Sequence, residues 1–562
     1  MATQPKKQNF LHGATLLALA TVIVKVIGAV YKIPLQAILG KIGYSYFSSA
    51  YDIYTLLLLI STAGLPVAMS RMISEASSLG DHARTRRVYN TSRAIFFIIG
   101  AVSTALMMLF CKALAASQKQ PDAALAIFCL APCAFLMSVI STYRGFFQGQ
   151  GNMIPTSKSQ VLEAVFKLGA GLVGAVLILQ LGGSISLAAA GAILGVTVSC
   201  AVSVAYLFWV FHKSAGPEIL DQKAPLFCGD TAKKLLAIAV PITIGAAGLQ
   251  LLIVAETSLY MNRLVELLDS GKLQGELVEA LRAEVLAEAG ETLTAAQINS
   301  RIAASMKGIY NFGQTIYNLP NSLITPITIS IIPAITACLT LGDHKGVKEN
   351  SESAARITGL LSLPCAVGLM VLSKPIMGLL GGYTGVQLDF AAKLLTLLGI
   401  SVFMRALVLF TNSLMQANGH ANIPVINMLT VGAVRMGLVF LLVGNPKLGL
   451  LAVPALTALG NAVTALLNLI CLAKVVPHKS AIARNVLRPL IPALLMGAAA
   501  FGTWQLIIRI LGESCSRIIQ VGGPMGVAVV VYIVFAAWLK SITREDCLLL
   551  PKGDKIARLL RL

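Results

Sequence analysis

Four basic side chains lie inside long apolar segments of the sequence, where a charge is costly: Lys25, Lys167, Arg405 and Arg435. A Lys or Arg at the centre of a bilayer costs about 2.5–3.5 kcal/mol on insertion scales. Each of these side chains should therefore face a water-filled cavity or a counter-charge. Cations in such places bind anionic groups such as phosphates, because they replace the hydration that the anion loses. The sequence predicts a cationic cavity for an anionic ligand.

Lys25 leaves two interpretations open. Its segment, GATLLALATVIVKVIGAV, contains no carboxylate, which favours a cavity cation that contacts the ligand. Alternatively, Lys25 forms a buried pair with Asp52 or Glu256 from another segment. Lys167 follows Glu163 at i,i+4, in the order that favours an ion pair on one helix, so these two side chains can neutralise each other.

Glu256 and Thr257 are the candidates for ion coupling. Glu256 is the only carboxylate of its apolar segment, QLLIVAETSLY. It can bind Na⁺ or H⁺, or it can pair with a cation. Coupling to an ion gradient or to the membrane potential is expected, because the chain has no Walker motif of an ATPase.

The candidates for ligand binding include neutral and acidic residues as well as cations. Arg435 is the second choice after Lys25, because its position in an internal repeat matches that of Lys167. The full set is Lys25, Asp52, Lys167, Gln314, Asn318, Arg405 and Arg435. No catalytic residue is predicted, because the sequence lacks HExxH, GxSxG and Asp-rich metal motifs. The chain is expected not to be an enzyme and to need no cofactor beyond a coupling ion.

Membrane-spanning helices must position these residues. Of the 562 residues, 56% are hydrophobic and 12% are charged, which is typical of an all-α polytopic membrane protein. A β-barrel is not indicated, because short segments with period-two alternation are missing. About fourteen apolar segments have spanning length. They centre near residues 20, 60, 100, 134, 168, 199, 246, 325, 362, 402, 434, 461, 500 and 530.

The net charge of +20 follows the expected topology and does not indicate nucleic-acid binding. With a cytoplasmic N-terminus, most Lys and Arg fall on cytoplasmic segments, for example Arg86, Arg87 and Lys233. This bias predicts a membrane protein with both termini cytoplasmic. Ala18-Leu19-Ala20 resembles a signal cleavage site, but the apolar run continues past it, so the segment is expected to be retained.

An internal repeat indicates two related halves. The segment Gly308–His344 is apolar but contains polar residues and three prolines that are expected to break it. A weaker copy lies 262 residues earlier, since SLGDH at 78–82 recurs as TLGDH at 340–344. The turns QGQGN and QANG are likewise each followed by a proline and then by a buried cation, Lys167 or Arg435. Two facing repeats are the usual plan of a transporter.

The repeat divides the chain into an N-terminal lobe of six helices at 1–230 and a C-terminal lobe of six helices at 231–475. Two further helices and a basic cytoplasmic tail follow at 476–562. Hydropathy drops in an insertion at 261–305, where Leu and Ala recur at helical spacing among acidic residues. This pattern predicts one or two short amphipathic helices outside the membrane. They are expected to form a surface cap, with a substrate gate or a partner dock as the alternative.

Three stretches resemble a known family: KVIGAVYKIPLQAILGKIGYSYFSSAYDIY, GLPVAMSRMISE and YNFGQTIYNLPNSLITPITISIIPAI. They are similar to the polysaccharide biosynthesis or stage V sporulation protein B group. This group belongs to the multidrug/oligosaccharidyl-lipid/polysaccharide (MOP) exporter superfamily, which includes lipid II flippases of the MurJ type. The resemblance covers essentially the whole chain. It implies a V-shaped pair of six-helix lobes and a C-terminal helix pair that lines a groove for a lipid tail.

The resemblance also implies roles for individual residues. Lys25 matches a basic residue of the first helix that lines the cationic cavity of lipid II flippases. Glu256 and Thr257 resemble an Asp-Thr pair that helps to bind sodium, and Asn427 matches an Asn of that site. Other family positions are altered here: an arginine pair, a further arginine and a second sodium-binding acid are replaced by Leu58, Leu59, Thr315 and Val431.

The activity implied is the transfer of undecaprenyl-diphosphate-linked cell-wall precursors from the inner to the outer leaflet, in peptidoglycan synthesis or sporulation. The expected partners are the lipid-linked oligosaccharide, membrane lipids and cell-wall synthesis proteins, and the chain is expected to be a monomer. A cation-coupled drug exporter is the alternative within the superfamily, but it would need an acidic cavity. A membrane-embedded glycosyltransferase is the alternative from another class, and only the insertion could carry its catalytic residues.

Overall fold

The computed structural model describes residues 10–62, 64–214, 224–289, 293–475, 482–512, 515–539 and 541. Within these ranges, the side chains of some helical residues, Lys25 among them, lie outside the description. The described residues form α-helices and short 3₁₀ turns, with no β-strand. The α-helices are α1 Phe10–Thr62, α2 Leu65–Ser78, α3 His82–Ser117, α4 Ala124–Gly149, α5 Ile154–Gln180, α6 Ile185–Ser214, α7 Gly229–Asp269, α8 Glu276–Ala289, α9 Ala295–Thr340, α10 His344–Val371, α11 Ser373–Gly381, α12 Gly385–Ala417, α13 Asn422–Val443, α14 Ala452–Val475, α15 Ile482–Leu487, α16 Leu490–Leu511 and α17 Arg517–Trp538.

Twelve helical segments of the described chain are long and apolar enough to cross a membrane. This confirms the predicted class, an all-α polytopic membrane protein. The sequence predicts about fourteen spans, and two features explain the difference. The first two apolar segments share the single helix α1, and the span predicted near residue 325 lies in α9, which is not among the twelve.

The helix α1 contains a kink at Gly40, where φ is 65° and ψ is −173°. A second break, between Thr62 and Leu65, separates α1 from α2. The N–H of Gly64 donates to Thr243 Oγ1 of α7 at 3.2 Å, and a Cβ at this position would overlap the carbonyl oxygen of Ala239. Glycine therefore lets the broken end of α1 pack directly on the backbone of α7.

The prediction that prolines break the segment 308–344 is wrong. Pro320, Pro326 and Pro333 all lie within the continuous helix α9. Membrane helices tolerate proline when neighbouring side chains bond to the backbone. In α9, Asn321 Nδ2 donates to the Tyr317 carbonyl oxygen at 3.0 Å, and Thr325 Oγ1 donates to that of Asn321 at 2.7 Å.

The repeated sequences SLGDH and TLGDH form the same turn. Gly80 and Gly342 have φ angles of 70° and 69°, which end α2 and α9 in the left-handed conformation. The aspartate that follows each glycine caps the next helix, because Asp81 Oδ1 accepts from Arg84 N at 2.8 Å and Asp343 Oδ1 accepts from Gly346 N at 2.9 Å. The repeat in the sequence is therefore also a repeat in local structure.

The chain divides by its contacts into two compact units. Unit 1 comprises Met1–Val265 and Thr294–Gly308, and unit 2 comprises Glu266–Leu293 and Ile309–Leu562. The helix α9 thus begins in unit 1 and continues in unit 2. The lobe boundaries at 230/231 and 475/476 rest on the repeat and remain a prediction.

The described part of the insertion at 261–305 contains one separate short helix, where its sequence pattern predicts one or two. Residues 261–269 continue α7, residues 295–305 begin α9, and α8 alone is a short independent helix in the described part. The helix α8 buries Val278, Leu281 and Val285, and its Glu284 accepts from Gln387 Nε2 of α12 at 2.9 Å. The helix α8 therefore packs against α12 within unit 2, and its role as a surface cap remains a prediction.

The C-terminal helices α16 and α17 pack within unit 2 against α10 and α11. Leu372, Met496, Ala500 and Ala528 form the buried contact. Tyr532 OH donates to the Leu360 carbonyl oxygen at 2.7 Å across the same contact.

Candidate functional site

Unit 1 contains a group of interacting charged side chains, of which one is buried and the others are half-buried. We call it the lysine cluster, and it consists of Lys32 and Asp52 of α1, Lys167 of α5, Lys307 of α9 and the ring of Tyr51. The charges of Lys32 and Lys307 both act on the Asp52 carboxylate, and those of Lys32 and Lys167 act on each other. Residues of three helices therefore contribute charges to one region.

Lys307 is the most deeply buried cation of the described chain, with 0% of its surface exposed. Its Nζ donates to Ser49 Oγ at 2.6 Å and to Gln118 Oε1 at 2.8 Å. Ser49 in turn donates to Gln120 Oε1 at 2.6 Å, and Gln120 Nε2 donates to Ser45 Oγ at 2.8 Å. This network fixes the ammonium group in one place, as a buried charge requires.

Tyr51 lies between the other two lysines. Lys167 Nζ donates to Tyr51 OH at 3.0 Å and lies 4.5 Å from the centre of its ring, and Lys32 Nζ lies 6.0 Å from the same centre. Phe47 stacks on Tyr51 with ring centres 5.9 Å apart. The π face attracts both ammonium groups and so stabilises two like charges side by side.

Arg144 and Glu163 form a separate ion pair next to the lysine cluster. Arg144 donates to Glu163 Oε2 at 3.0 Å and to Ser159 Oγ at 2.9 Å. The sequence leaves open that Glu163 neutralises Lys167, and the structure shows that the direct partner of Glu163 is Arg144. The charge of Glu163 still acts on Lys167 at longer range. A cavity of about 250 Å³ lies beside this pair, lined by Thr21, Val24, Arg144, Gln160 and Glu163.

The pair of Arg144 and Glu163 gives a first testable expectation. Arg144→Met leaves the Glu163 carboxylate, which is 25% exposed, without its partner and should cost about 3 kcal/mol of stability. Removing both charges with Arg144→Met and Glu163→Gln should recover most of the loss in thermal unfolding of the purified protein. Arg84→Met, which breaks the more exposed pair with Glu75, is the matched control and should cost less than about 1 kcal/mol. An equal loss for both single variants would contradict a structural role specific to Arg144.

The charges of this region do not balance. The lysine cluster contains three cations and one anion, and the adjacent pair contributes one of each. Among these six side chains, the basic groups therefore outnumber the acidic groups by two. A site of this kind can bind an anion of about two charges by direct replacement of its hydration.

Two of the sequence-predicted residues of unit 1, Asp52 and Lys167, both exert their charge on Lys32. The side chain of Lys25 lies outside the described residues, so its two interpretations remain predictions. The charges of Lys32 and Lys307 act on Asp52, and the role of Asp52 in ligand binding remains a prediction. Glu256 and Thr257 are adjacent on α7 and are both buried, with 6% of their surface exposed.

The remaining predicted residues belong to unit 2. Gln314 donates to Tyr310 OH at 2.7 Å, and Asn318 is exposed. Arg405 is half-buried on α12, and Arg435 of α13 lies against Gly460 of α14, where its Cδ would be 3.2 Å from an added Cβ. None of these four residues belongs to the lysine cluster, and their roles in ligand binding remain predictions.

Asn427 of α13 lies in a neutral polar network within unit 2. Its Nδ2 donates to Asn468 Oδ1 at 2.9 Å, and Asn468 Nδ2 donates to Asn412 Oδ1 at 2.7 Å and to Thr411 Oγ1 at 3.1 Å. The network ties α12, α13 and α14 together. Asn427 and Glu256 fall into different units, so their joint role in an ion site stays a prediction. The described residues contain no group of three or more His, Cys, Asp or Glu arranged to hold a metal ion.

Comparison with known families decides the class of this chain. Residues 10–338 match the family described as polysaccharide biosynthesis protein. The chain belongs to this family.

Two relatives extend over almost the whole length of the chain. The uncharacterized membrane protein YabM of Bacillus subtilis (strain 168) is 26% identical and covers 99% of this chain and 97% of its own. Stage V sporulation protein B of the same organism is 24% identical, and the match covers 97% of this chain and 98% of that protein. Lipid II flippase MurJ, also of Bacillus subtilis, is 24% identical over 69% of each chain.

Several solved structures have the same fold as this chain. Lipid II flippase MurJ in an inward closed conformation has a TM-score of 0.60 at 13% identity, covering 93% of this chain and 98% of that one. An inward-facing multidrug resistance MATE family transporter of the MOP superfamily has a TM-score of 0.59 at 16% identity. The match covers 82% of this chain and 93% of that one. The chain thus has the fold of these proteins, and its twelve candidate spans make it a multi-pass membrane protein, as its sequence predicts.

The sequence pattern did not single out Lys307, and it indicated no role for Lys32 or Tyr51. Lys307 directly precedes the apolar segment that begins at Gly308, and it therefore looks like a residue of the polar insertion. Lys32 lies close to the end of the first apolar segment, where a lysine can reach the interface. A useful signal was the spacing of Ser45, Ser49 and Asp52, which places polar side chains on one face of a helix.

Proposed function

We propose that the chain is a flippase that moves an undecaprenyl-diphosphate-linked sugar precursor, such as lipid II, from the inner to the outer leaflet by alternating access. The observation that carries this proposal is the lysine cluster of unit 1, in which the basic side chains outnumber the acidic ones by two. A diphosphate that joins a lipid to a sugar carries about two negative charges, so it matches this excess. Membership of the polysaccharide biosynthesis family and similarity to a lipid II flippase support the same substrate class.

The lysine cluster would lower the cost of dehydrating the diphosphate. A charged hydrogen bond contributes about 1.5–3 kcal/mol, so two or three ammonium contacts offset several kcal/mol of lost hydration. The three lysines come from α1, α5 and α9, and these helices can change their separation as the transporter changes state. Fixed charges on separate helices are therefore suited to bind the headgroup in one state and to release it in another.

The alternatives lack a comparable observation. An exporter of organic cations needs uncompensated acids, whereas the lysine cluster contains more basic than acidic side chains. A glycosyltransferase needs a catalytic acid or base on an outside segment, whereas Glu284 of α8 in the insertion is used in a contact with Gln387 of α12.

We further propose that Glu256 couples transport to Na⁺ or H⁺, in a bacterial plasma membrane with both termini cytoplasmic. Glu256→Gln should lower transport by about tenfold or more, because a neutral amide cannot balance the bound ion. Glu163→Gln should have a smaller effect, since Glu163 is partnered by Arg144. Initial rates in proteoliposomes with imposed Na⁺ and pH gradients measure both variants. Equal and mild effects, with an unchanged response to the gradients, would leave Glu256 a merely structural residue.

Depletion of the protein in its host tests the proposed function. We expect an undecaprenyl-diphosphate-linked saccharide to accumulate on the inner leaflet, with rescue by the native chain. In a strain with several flippases, the same experiment is done with this chain as the sole copy. Accumulation of a soluble sugar nucleotide without the lipid-linked form would contradict a flippase and favour an enzyme.

A further inference from the structure

The cavity beside the pair of Arg144 and Glu163 lies within unit 1, between α1 and α5. Thr21 and Val24 line it from α1, Gln160 and Glu163 line it from α5, and Arg144 lines it from α4. Its volume of about 250 Å³ is slightly below the range of about 300–1,000 Å³ for cavities that hold drug-sized ligands. The cavity is therefore of a size for one small ring with its substituents.

The contact between α1 and α5 leads from this cavity to Lys167. Gln160, Glu163 and Lys167 are spaced i, i+3 and i+7, so they lie on one face of α5. On α1, Val24 and Tyr31 are likewise seven residues apart, and Lys167 Nζ lies 5.8 Å from the centre of the Tyr31 ring. Seven residues of α-helix rise by about 10 Å. The cavity thus lies about two turns from Lys167 along the same pair of helices.

The lining of the cavity is polar, and its charges balance. Arg144 donates to Glu163 Oε2 at 3.0 Å, so the two charges that line the cavity neutralise each other. Gln160 Oε1 is buried and accepts no hydrogen bond from the described residues. A buried acceptor without a donor is costly, and the soft terminal torsion of a glutamine lets either end of the amide turn toward a ligand. This lining suits a neutral ligand that offers hydroxyl or amide groups.

We propose that the cavity is a subsite for the sugar next to the diphosphate, and that Gln160 is its specificity-determining residue. The inference rests on the proposed function, in which Lys167 contacts the diphosphate. The first sugar of such a lipid is bonded directly to the second phosphate, so a diphosphate at Lys167 places this sugar next along the contact between α1 and α5. The sugar ring then presents its hydroxyl groups to the amide of Gln160 and an apolar face to Val24.

The subsite makes the sugar a part of the ligand that is recognised, in addition to the diphosphate. A site that is built to form a hydrogen bond with one ligand group discriminates against the analogue that lacks this group. Gln160 therefore favours the carrier lipid that is loaded with sugar over the same lipid without it. The cavity volume limits the contact to one sugar ring, so the rest of the saccharide lies outside it.

Binding of two matched ligands to the purified full chain in phosphatidylcholine nanodiscs tests the subsite. Farnesyl-diphospho-N-acetylglucosamine and farnesyl diphosphate share the prenyl chain and the diphosphate, and only the first contains a sugar. Gln160→Leu removes the donor and the acceptor at similar size. It should raise the Kd of the sugar-linked ligand about five- to tenfold and leave that of farnesyl diphosphate within about twofold. Gln180→Leu, the same change at the exposed end of α5, is the matched control and should alter neither Kd by more than about twofold.

A second variant fills the cavity from the opposite helix. Val24→Phe should weaken binding of the sugar-linked ligand by a similar factor and leave that of farnesyl diphosphate, so the inference is tested even if Gln160→Leu does not fold. If either variant changes the two Kd values by the same factor, or changes neither, the sugar subsite is overturned and the diphosphate site still stands. Failure of the native chain to bind either ligand removes the proposed substrate class and the inference with it.

Discussion

Lys307→Met is expected to reduce transport about 10- to 150-fold, the equivalent of one lost charged contact of about 1.5–3 kcal/mol. The ammonium group of Lys307 has no exposed surface and is held by Ser49 and Gln118, so it cannot be replaced by a neighbouring flexible lysine. Its loss also lowers the positive excess of the lysine cluster from two charges to one. Initial rates of lipid translocation in proteoliposomes, normalised to the amount of inserted protein, measure the effect.

Lys374→Met is a suitable control for Lys307→Met. Lys374 pairs with Asp389 at 2.7 Å in unit 2, where both side chains are about half exposed. This variant should transport at a rate within about twofold of the native chain, because exposed ion pairs contribute little. Native-like transport by Lys307→Met would show that Lys307 has no part in the transport step.

Lys167 gives the second large effect. Lys167→Met removes a charge and also the partner of Tyr51, and transport should fall by about tenfold or more. Lys167→Arg keeps the charge and the attraction to the ring, so it should retain a substantial part of the activity. The comparison is made by complementation and by the proteoliposome rate, with Tyr51→Phe as a third variant that keeps the ring and removes the hydroxyl.

The control for Lys167 is the ion pair between Glu163, one turn earlier on α5, and Arg144 of α4. The combined change of Arg144→Met and Glu163→Gln removes both charges of this pair, and it should preserve transport far better than Lys167→Met. If the paired removal is as damaging as Lys167→Met, the region is needed for packing and the excess charge is not its function.

The fold was largely predictable from the sequence, because apolar segments of spanning length and the repeated turns follow from local chemistry. Gly80 and Gly342 illustrate this, since a glycine before a capping aspartate specifies the same turn twice. The continuity of α9 was not predictable in this way. The effect of a proline in a membrane helix depends on which neighbouring groups bond to the freed backbone, and that is a tertiary property.

The candidate site was predictable only in part, for a related reason. Lys167 and Asp52 attract attention because they interrupt apolar segments, whereas Lys307 lies at the border of one. Its burial arises from Gln118 and Ser49, which are 189 and 258 residues away in the chain. A sequence reveals a charge in an apolar segment, but it does not reveal which distant helices enclose a charge at the end of a segment.

The most direct test of the central claim, that the interior of unit 1 selects a doubly charged lipid headgroup, is translocation in proteoliposomes that contain the native full chain alone. Farnesyl-diphospho-N-acetylglucosamine is compared with farnesyl-phospho-N-acetylglucosamine, which has one phosphate fewer and about one charge less. The account predicts that the diphosphate lipid crosses at least about tenfold faster at equal concentration, and that Lys307→Met narrows the difference. Equal rates for the two lipids in the native chain would contradict it.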